Sequence, residues 1–186
     1  MGVPRPRVQF SSSWGRSFVA DLTVSVAEIL GRPGAYRDFR VSGSLEGAGV
    51  ALAQLEADSL AAELRAESVI EGVLITGRVQ GTTVLTCARC LKDFRAPVEV
   101  EVCELFAGPG HEEDDPDAYR VGGPDLHLEP MLRDVVTLAL PLNPHCAEGC
   151  VGLCPRCGRE LGNCSCEVEE RDPRWAGLDA LRERLS

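Results

Sequence analysis

The chain has 186 residues, of which 44% are hydrophobic, and it carries a formal net charge of −10. The hydrophobic share is enough for a folded core, whereas the acidic balance argues against broad binding to a phosphate backbone, which needs clustered Lys and Arg. No stretch approaches the ~18 consecutive apolar residues of a membrane span, and the N-terminus lacks the apolar segment of a signal peptide. We therefore expect a cytoplasmic protein without membrane contact, whose nine cysteines are reduced.

The first part of the chain predicts a disordered start followed by short elements. Residues 1–16 are polar and contain Pro and Arg, so we expect them to be disordered. The run from Phe18 to Val24 predicts a strand, and Val26 to Leu30 predicts a helical turn. That turn ends at Gly31-Arg32-Pro33-Gly34, which is a strong turn signal.

The middle of the chain predicts an antiparallel meander. Alternating residues around Leu60 to Leu64 predict one strand, and the runs Val69 to Val79 and Thr82 to Thr86 predict two more, with Gly81 as a break. In the run Val98 to Val102 the valines should face the core and the glutamates the solvent, because strand side chains alternate. The short connections favour antiparallel pairing.

Two helices are predicted after the sheet. The acidic residues between Gly108 and Gly123 predict a solvated loop. Hydrophobic residues then recur at helical spacing and predict a helix over residues 129–140, with Pro130 in its first turn and Pro141 at its end. The stretch from Trp175 to Leu185 places three leucines on one face of a short C-terminal helix.

Eight of the nine cysteines form close pairs, which is the pattern of thiolate metal sites. The turn Cys154-Pro155-Arg156-Cys157-Gly158 and the extended segment Cys164-Ser165-Cys166 can direct four sulfurs to one ion, because Gly permits the tight turn and strand side chains alternate. We predict a local site formed by Cys154, Cys157, Cys164 and Cys166.

The remaining pairs predict a second, long-range site. It consists of Cys87, Cys90, Cys146 and Cys150, which would clamp the sheet to the segment after the helix. Two alternatives stay open: Cys146 or Cys150 joins the local site, or His145 replaces one of them. Structural Zn²⁺ is the favoured ion because zinc prefers tetrahedral thiolate ligation, with iron or an iron–sulfur cluster as the minor alternative. Four thiolates leave no open position for water, which argues against zinc hydrolysis.

Other chemistry is less favoured by the pattern. Cys103 is interpreted as a small buried hydrophobic residue. A redox dithiol at Cys87 and Cys90 is the alternative to metal binding, although such a motif normally opens a helix after a βαβ strand. A small basic cluster beside this pair, formed by Arg89, Lys92 and Arg95 around Phe94, is interpreted as a solvated sheet edge, with a phosphate or stacking contact as the alternative. No catalytic constellation is recognisable, so we expect no enzyme activity.

These observations predict an α+β fold, an antiparallel sheet packed by one main helix with a cysteine-rich zinc-binding tail. The expected division is a core domain over residues 17–145, the cysteine-rich segment over 146–170 and the C-terminal helix over 171–186.

Several motifs together resemble the YceD family, the large ribosomal RNA subunit accumulation proteins of bacteria and plastids. The likeness covers roughly residues 18–182 and depends on these segments: Gly31-Arg32-Pro33-Gly34, Cys87-Ala88-Arg89-Cys90-Leu91, Glu104-Leu105-Phe106, Leu128-Glu129-Pro130-Met131-Leu132-Arg133-Asp134, Ala139-Leu140-Pro141, the run from Cys150 to Gly158, and Asp172-Pro173-Arg174-Trp175. The resemblance implies a non-enzymatic ribosome-biogenesis factor that supports synthesis, processing or stability of large-subunit (23S) rRNA. Implied partners are ribosome-assembly proteins or the rRNA itself. The competing hypotheses are a thiol–disulfide oxidoreductase using Cys87 and Cys90, and a zinc-stabilised protein–protein adaptor.

Overall fold

The computed structural model describes residues 18–19, 22–110, 118–166 and 178. The predicted disorder over 1–16, residues 111–117 of the predicted acidic loop and, except for Leu178, the predicted C-terminal helix lie outside the described residues. Within the described part of the chain, no helix is long and apolar enough to cross a membrane.

Eight strands form one sheet whose centre is a long hairpin. The strands of this sheet are β1 (Phe18–Val19), β3 (Tyr36–Gly43), β4 (Gly49–Val50), β5 (Ala53–Leu55), β6 (Leu60–Val69), β7 (Gly72–Thr86), β8 (Asp93–Ala107) and β9 (Tyr119–Arg120). On one edge of β7, strands β6 and β5 lie end to end, while β8 pairs with β7 along its whole length on the other edge. Pairing is antiparallel except for the two-residue contacts β1–β3 and β8–β9. A second, two-stranded sheet joins β2 (Thr23–Ser25) to β10 (Asp125–His127).

One helix packs on the sheet, as predicted. Helix α1 (Glu129–Ala139) begins with Pro130 in its first turn and ends at Leu140, whose backbone is extended before Pro141. Its buried residues Met131, Leu132 and Val136 share one hydrophobic core with the sheet. Strand β6 buries every second residue, beginning with Leu60, which gives the core face of the sheet. Within the described residues the architecture is therefore mainly antiparallel sheet with one helix, and this part of the fold prediction is confirmed.

Two predictions about the strands are wrong. The run from Phe18 to Val24 is not one strand, because β1 and β2 belong to different sheets. Gly81 does not break β7; the chain reverses instead at Ile70 and Glu71, between β6 and β7. Gly81 instead packs closely against β5, since a Cβ atom there would lie 2.8 Å from the Leu55 Cδ1 atom and the Leu55 side chain would have to move.

Strand β8 confirms one prediction and corrects another. Val102 is buried and Val100 half-buried, whereas Glu99 and Glu101 are exposed, as the alternation predicts. Cys103 was predicted to be buried, but it is exposed. The reason is its register: Cys103 is an even number of residues from Glu101 and therefore lies on the same solvent-facing side of β8.

Candidate metal centres

The first cysteine group joins the end of β7 to the segment after α1. Cys87 and Cys90 lie on the turn between β7 and β8, and Cys146 and Cys150 lie in the chain that follows Pro141. The Cys87 and Cys150 sulfurs are 3.8 Å apart, and those of Cys90 and Cys146 are 3.6 Å apart. All four sulfurs lie within 4.8 Å of one another. The structure thus brings together the four residues of the predicted long-range site.

The second group is local in sequence and consists of Cys154, Cys157, Cys164 and Cys166. These four sulfurs also lie within 4.8 Å of one another. A short 3₁₀ helix (Leu161–Asn163) returns the chain so that the second pair faces the first. His145 belongs to neither group among the described residues. The sulfurs therefore assemble in the two predicted sets.

The sulfur positions fit a tetrahedral ion better than disulfides. A disulfide has an S–S length of about 2.05 Å, which is far shorter than the 3.6 and 3.8 Å in the first group. Sulfurs at the corners of a tetrahedral site with metal–sulfur bonds of about 2.3 Å are about 3.8 Å apart. The Cys87–Cys150 and Cys90–Cys146 separations are close to this value, and both groups offer the four soft donors that such a site requires.

The two Cys-x-x-Cys turns have the same backbone hydrogen bonds. In the first turn the Cys87 N–H donates to the Lys92 carbonyl at 2.9 Å, and the Leu91 N–H donates to the Cys87 carbonyl at 2.9 Å. In the second turn the Cys154 N–H donates to the Arg159 carbonyl at 2.7 Å, and the Gly158 N–H donates to the Cys154 carbonyl at 2.9 Å. The two turns therefore share one hydrogen-bonded backbone arrangement.

The residue after the second cysteine has a left-handed backbone in both loops. Gly158 has a φ of 69°, as its residue type favours, and Leu91 has a φ of 58°. Sequence reasoning recognised the second loop from its glycine and missed this feature in the first. The spacing of Cys87 and Cys90 was the available signal, because the loop needs this conformation whichever residue occupies the position.

The two groups are connected directly. The Arg89 side chain donates from Nη1 to the Cys150 carbonyl at 2.9 Å, and its own carbonyl accepts from the Leu153 N–H at 3.2 Å. Gly152 lies so close that a Cβ atom there would be 3.1 Å from the Arg89 carbonyl oxygen. Lys92 forms an ion pair with Glu160, which raises the pKa of Lys92 and lowers that of Glu160. The first loop therefore provides the surface on which the second is held.

Each group contains one thiol that loses its proton easily and one that retains it. Backbone N–H groups, first that of Cys146, lower the pKa of Cys87 to about 5, and the N–H of Cys157 does most to lower the pKa of Cys154 to about 6. A hydrogen bond to Cys90 raises the pKa of Cys146 to about 12, and one to Cys157 raises that of Cys166 to about 12. Crowded thiolates repel one another, so full deprotonation of either group needs a cation.

The predicted basic cluster is engaged within the protein. Arg89 and Lys92 hold the second loop as described, and Arg95 pairs with Glu56 at 3.0 Å. The ring of Phe94 is partly buried against a small apolar cluster of Ala53, Leu85 and Leu140. The cations therefore remain exposed at the sheet edge but pair with oxygen atoms of the protein, which disfavours the alternative of a phosphate contact at this cluster.

Comparison with known proteins gives similar chains in mycobacteria. An uncharacterized protein of Mycobacterium tuberculosis is 39% identical over 170 residues, which are 88% of this chain and 82% of the relative. An uncharacterized protein of Mycobacterium leprae is 33% identical over 178 residues, which are 91% of this chain and 82% of the relative. No solved structure matches.

Two further comparisons concern the ribosome. A chloroplastic protein of Arabidopsis thaliana, described as large ribosomal RNA subunit accumulation protein YCED homolog 1, is 32% identical over 63 residues, covering 33% of this chain and 20% of the relative. The family described as large ribosomal RNA subunit accumulation protein YceD matches residues 75–182, which include both cysteine groups and α1. This match covers more than half of the 186 residues, and the chain belongs to the YceD family.

Proposed function

We propose that this protein is a non-enzymatic ribosome-biogenesis factor that supports the synthesis, processing or stability of large-subunit (23S) rRNA. The observation that carries the proposal is membership of the YceD family, which indicates a role in large-subunit rRNA accumulation. The partners we propose are the rRNA itself or proteins that assemble on it, in the cytoplasm.

We further propose that both cysteine groups bind structural Zn²⁺. Four thiolates at tetrahedral separation suit zinc, and a site with four protein ligands has no position for substrate or water. Residues Cys87, Cys90, Cys146 and Cys150 would hold one ion, and Cys154, Cys157, Cys164 and Cys166 the other. Such ions would stabilise the turns between β7 and β8 and after α1, without catalysis.

A thiol oxidoreductase is the second candidate, because the pKa of Cys87 is low. A redox-active thiolate must also be reached by its substrate. Cys87 is 0% exposed and Cys90 is 7% exposed, and both have partner cysteines within 3.8 Å. Burial and a four-sulfur environment favour the structural role.

Depletion of the protein in the organism that encodes it tests the rRNA role. We expect mature large-subunit rRNA to fall relative to small-subunit rRNA, as measured by quantitative electrophoresis and by ribosome profiles on sucrose gradients. A wild-type copy should restore the ratio, and a copy with Cys87→Ser and Cys90→Ser should restore little. An unchanged ratio after depletion would refute the proposal.

Alkylation of the native, metal-loaded protein tests the redox candidate. If the thiols are structural, iodoacetamide should modify exposed Cys103 first and the eight grouped cysteines only after a chelator is added. Rapid modification of Cys87 without a chelator would favour the oxidoreductase instead.

A further inference from the structure

The two cysteine loops carry basic residues at corresponding positions but use them differently. In the first loop Arg89 and Lys92 occupy the third and sixth positions, counted from Cys87. In the second loop Arg156 and Arg159 occupy the same positions, counted from Cys154. Since the loops share their hydrogen bonds, each pair of side chains leaves its loop from an equivalent place.

In the first loop both cations have oxygen partners. Arg89 donates to the Cys150 carbonyl, and Lys92 pairs with the Glu160 carboxylate. These partners belong to the segment that precedes and follows Cys154. In the first loop, cations at these two positions therefore bind oxygen acceptors that belong to a neighbouring segment of the same chain.

In the second loop the corresponding arginines are exposed. Neither the Arg156 nor the Arg159 side chain has a hydrogen-bond or ion-pair partner within the described ranges of the chain. Other described arginines, such as Arg65 with Asp38 and Arg95 with Glu56, are paired. The second loop therefore offers two guanidinium groups that no side chain or carbonyl of the described residues binds.

The net charge of the chain restricts which kinds of ligand can bind to Arg156 and Arg159. With a net charge of −10, the protein repels RNA over most of its surface, so a contact with RNA must use a local cationic site. Guanidinium groups bind phosphate through paired N–H donors, better than an ammonium does. We propose that Arg156 and Arg159 of the second loop bind the phosphate backbone of large-subunit rRNA; this inference rests on the proposed function.

A structural role for these arginines makes a different prediction. A divalent ion with four thiolates leaves a net negative site, and nearby arginines could serve only to offset that charge. In that case their removal would weaken metal retention and leave RNA binding unchanged. Measuring metal content and RNA affinity on the same variants separates the two roles.

The test uses the full-length, metal-loaded protein and a transcript of large-subunit rRNA. The variants are Arg156→Gln, Arg159→Gln, the double variant, and the double Lys variant, which retains the charge. Arg32→Gln is the matched control, because Arg32 is also exposed but lies in the turn before β3. Affinity is measured by filter binding at several salt concentrations, and metal content by mass spectrometry.

We expect the double Gln variant to bind roughly tenfold more weakly, as loss of hydrogen bonds to charged groups implies. The slope of log affinity against log salt concentration should become shallower by about 1.4, because each lost phosphate contact with a single strand contributes about 0.7. The double Lys variant should keep the slope and lose part of the affinity, and Arg32→Gln should bind like wild type. Metal content should stay unchanged in every variant.

The inference would be overturned by an absence of wild-type binding to the transcript, by unchanged affinity and slope in the double Gln variant, or by a loss confined to metal retention. Crosslinking of the second loop to an assembly protein in place of RNA would do so as well. A different result would refute the proposed function, namely a normal level of large-subunit rRNA after depletion of the protein. If depletion lowers the rRNA and the double Gln variant restores it fully, only the present inference fails.

Discussion

Leu91 and Gly158 occupy the same position in two cysteine loops, and both have a left-handed backbone, with φ of 58° and 69°. The position follows the second cysteine of each Cys-x-x-Cys motif, and its N–H closes the loop onto the carbonyl of the first cysteine. The loop geometry thus imposes the conformation, and the residue type decides only how much strain it causes.

Substitution at this position should change the free energy of unfolding in opposite directions in the two loops. Gly158→Ala should lower the free energy of unfolding by about 1 kcal/mol, because an L-residue is strained there. No atom lies within 4 Å of the Cβ position, so a clash would not contribute. Leu91→Gly should raise stability by a smaller amount, since relief of strain is offset by greater freedom of the unfolded chain. Urea denaturation of the metal-loaded protein measures both, and a Gly158→Ala protein as stable as wild type would contradict the strain argument.

Loss of the first cysteine group should affect both metal sites, whereas loss of the second should affect one. Arg89 and Lys92, on the first loop, hold the segment that carries the second group. We therefore expect Cys87→Ser with Cys90→Ser to lose most of the metal, and Cys164→Ser with Cys166→Ser to lose about half, as measured by mass spectrometry.

Cys103→Ser is the matched control for those variants, because Cys103 is exposed and in neither group. It should keep full metal content and stability within about 0.5 kcal/mol of wild type. Equal losses from the two double variants would show that the sites are independent.

Metal affinity should rise with pH. In the metal-free protein the pKa values of Cys87 and Cys154, about 5 and about 6, leave these thiols anionic at neutral pH, while Cys146 and Cys166, with pKa values of about 12, retain their protons. A bound ion must displace those protons, and their competition grows as the pH falls. Titration against a chromophoric chelator at pH 6, 7 and 8 should give the weakest binding at pH 6. A constant affinity would mean that thiolates are not the ligands.

The hydrogen bond between Tyr119 and Asp134 should contribute to stability. The Tyr119 hydroxyl donates to Asp134 Oδ2 at 2.6 Å, and its ring stacks on Phe106 with centroids 5.3 Å apart. Tyr119→Phe keeps the stacking and removes the bond, so we expect a loss of about 1 kcal/mol. Tyr36→Phe is the control, because that ring packs under the Arg65 guanidinium and is 58% exposed. Equal effects of the two substitutions on urea denaturation would argue against a specific role for the bond.

Sequence patterns predicted the features that depend on local periodicity. Helical spacing located α1 to within one residue of its end, and strand alternation gave the exposed glutamates and buried Val102 of β8. Cysteine spacing predicted which sulfurs assemble, including the long-range set. In these cases a single physical requirement decides the arrangement. It is burial of apolar side chains in α1 and β8, and the ability of four sulfurs to reach one ion in the cysteine groups.

Sequence patterns did not predict the features that depend on tertiary packing. Gly81 suggested a break, but it accommodates Leu55 from a neighbouring strand, which no local pattern reveals. Cys103 was assigned from residue type rather than from its register in β8, where Glu99 and Glu101 already marked the exposed face. The connection between the loops through Arg89 and Lys92 depends on tertiary placement and was not predictable.

We propose that two four-thiolate sites hold structural zinc in this protein. X-ray absorption at the zinc edge, combined with metal quantification of the purified full-length protein, would determine both the number of ions and their ligands. We expect about two zinc ions per chain, one for each cysteine group, with four sulfur neighbours at about 2.3 Å. Zinc with nitrogen or oxygen neighbours, or a protein that folds stably without any metal, would contradict it.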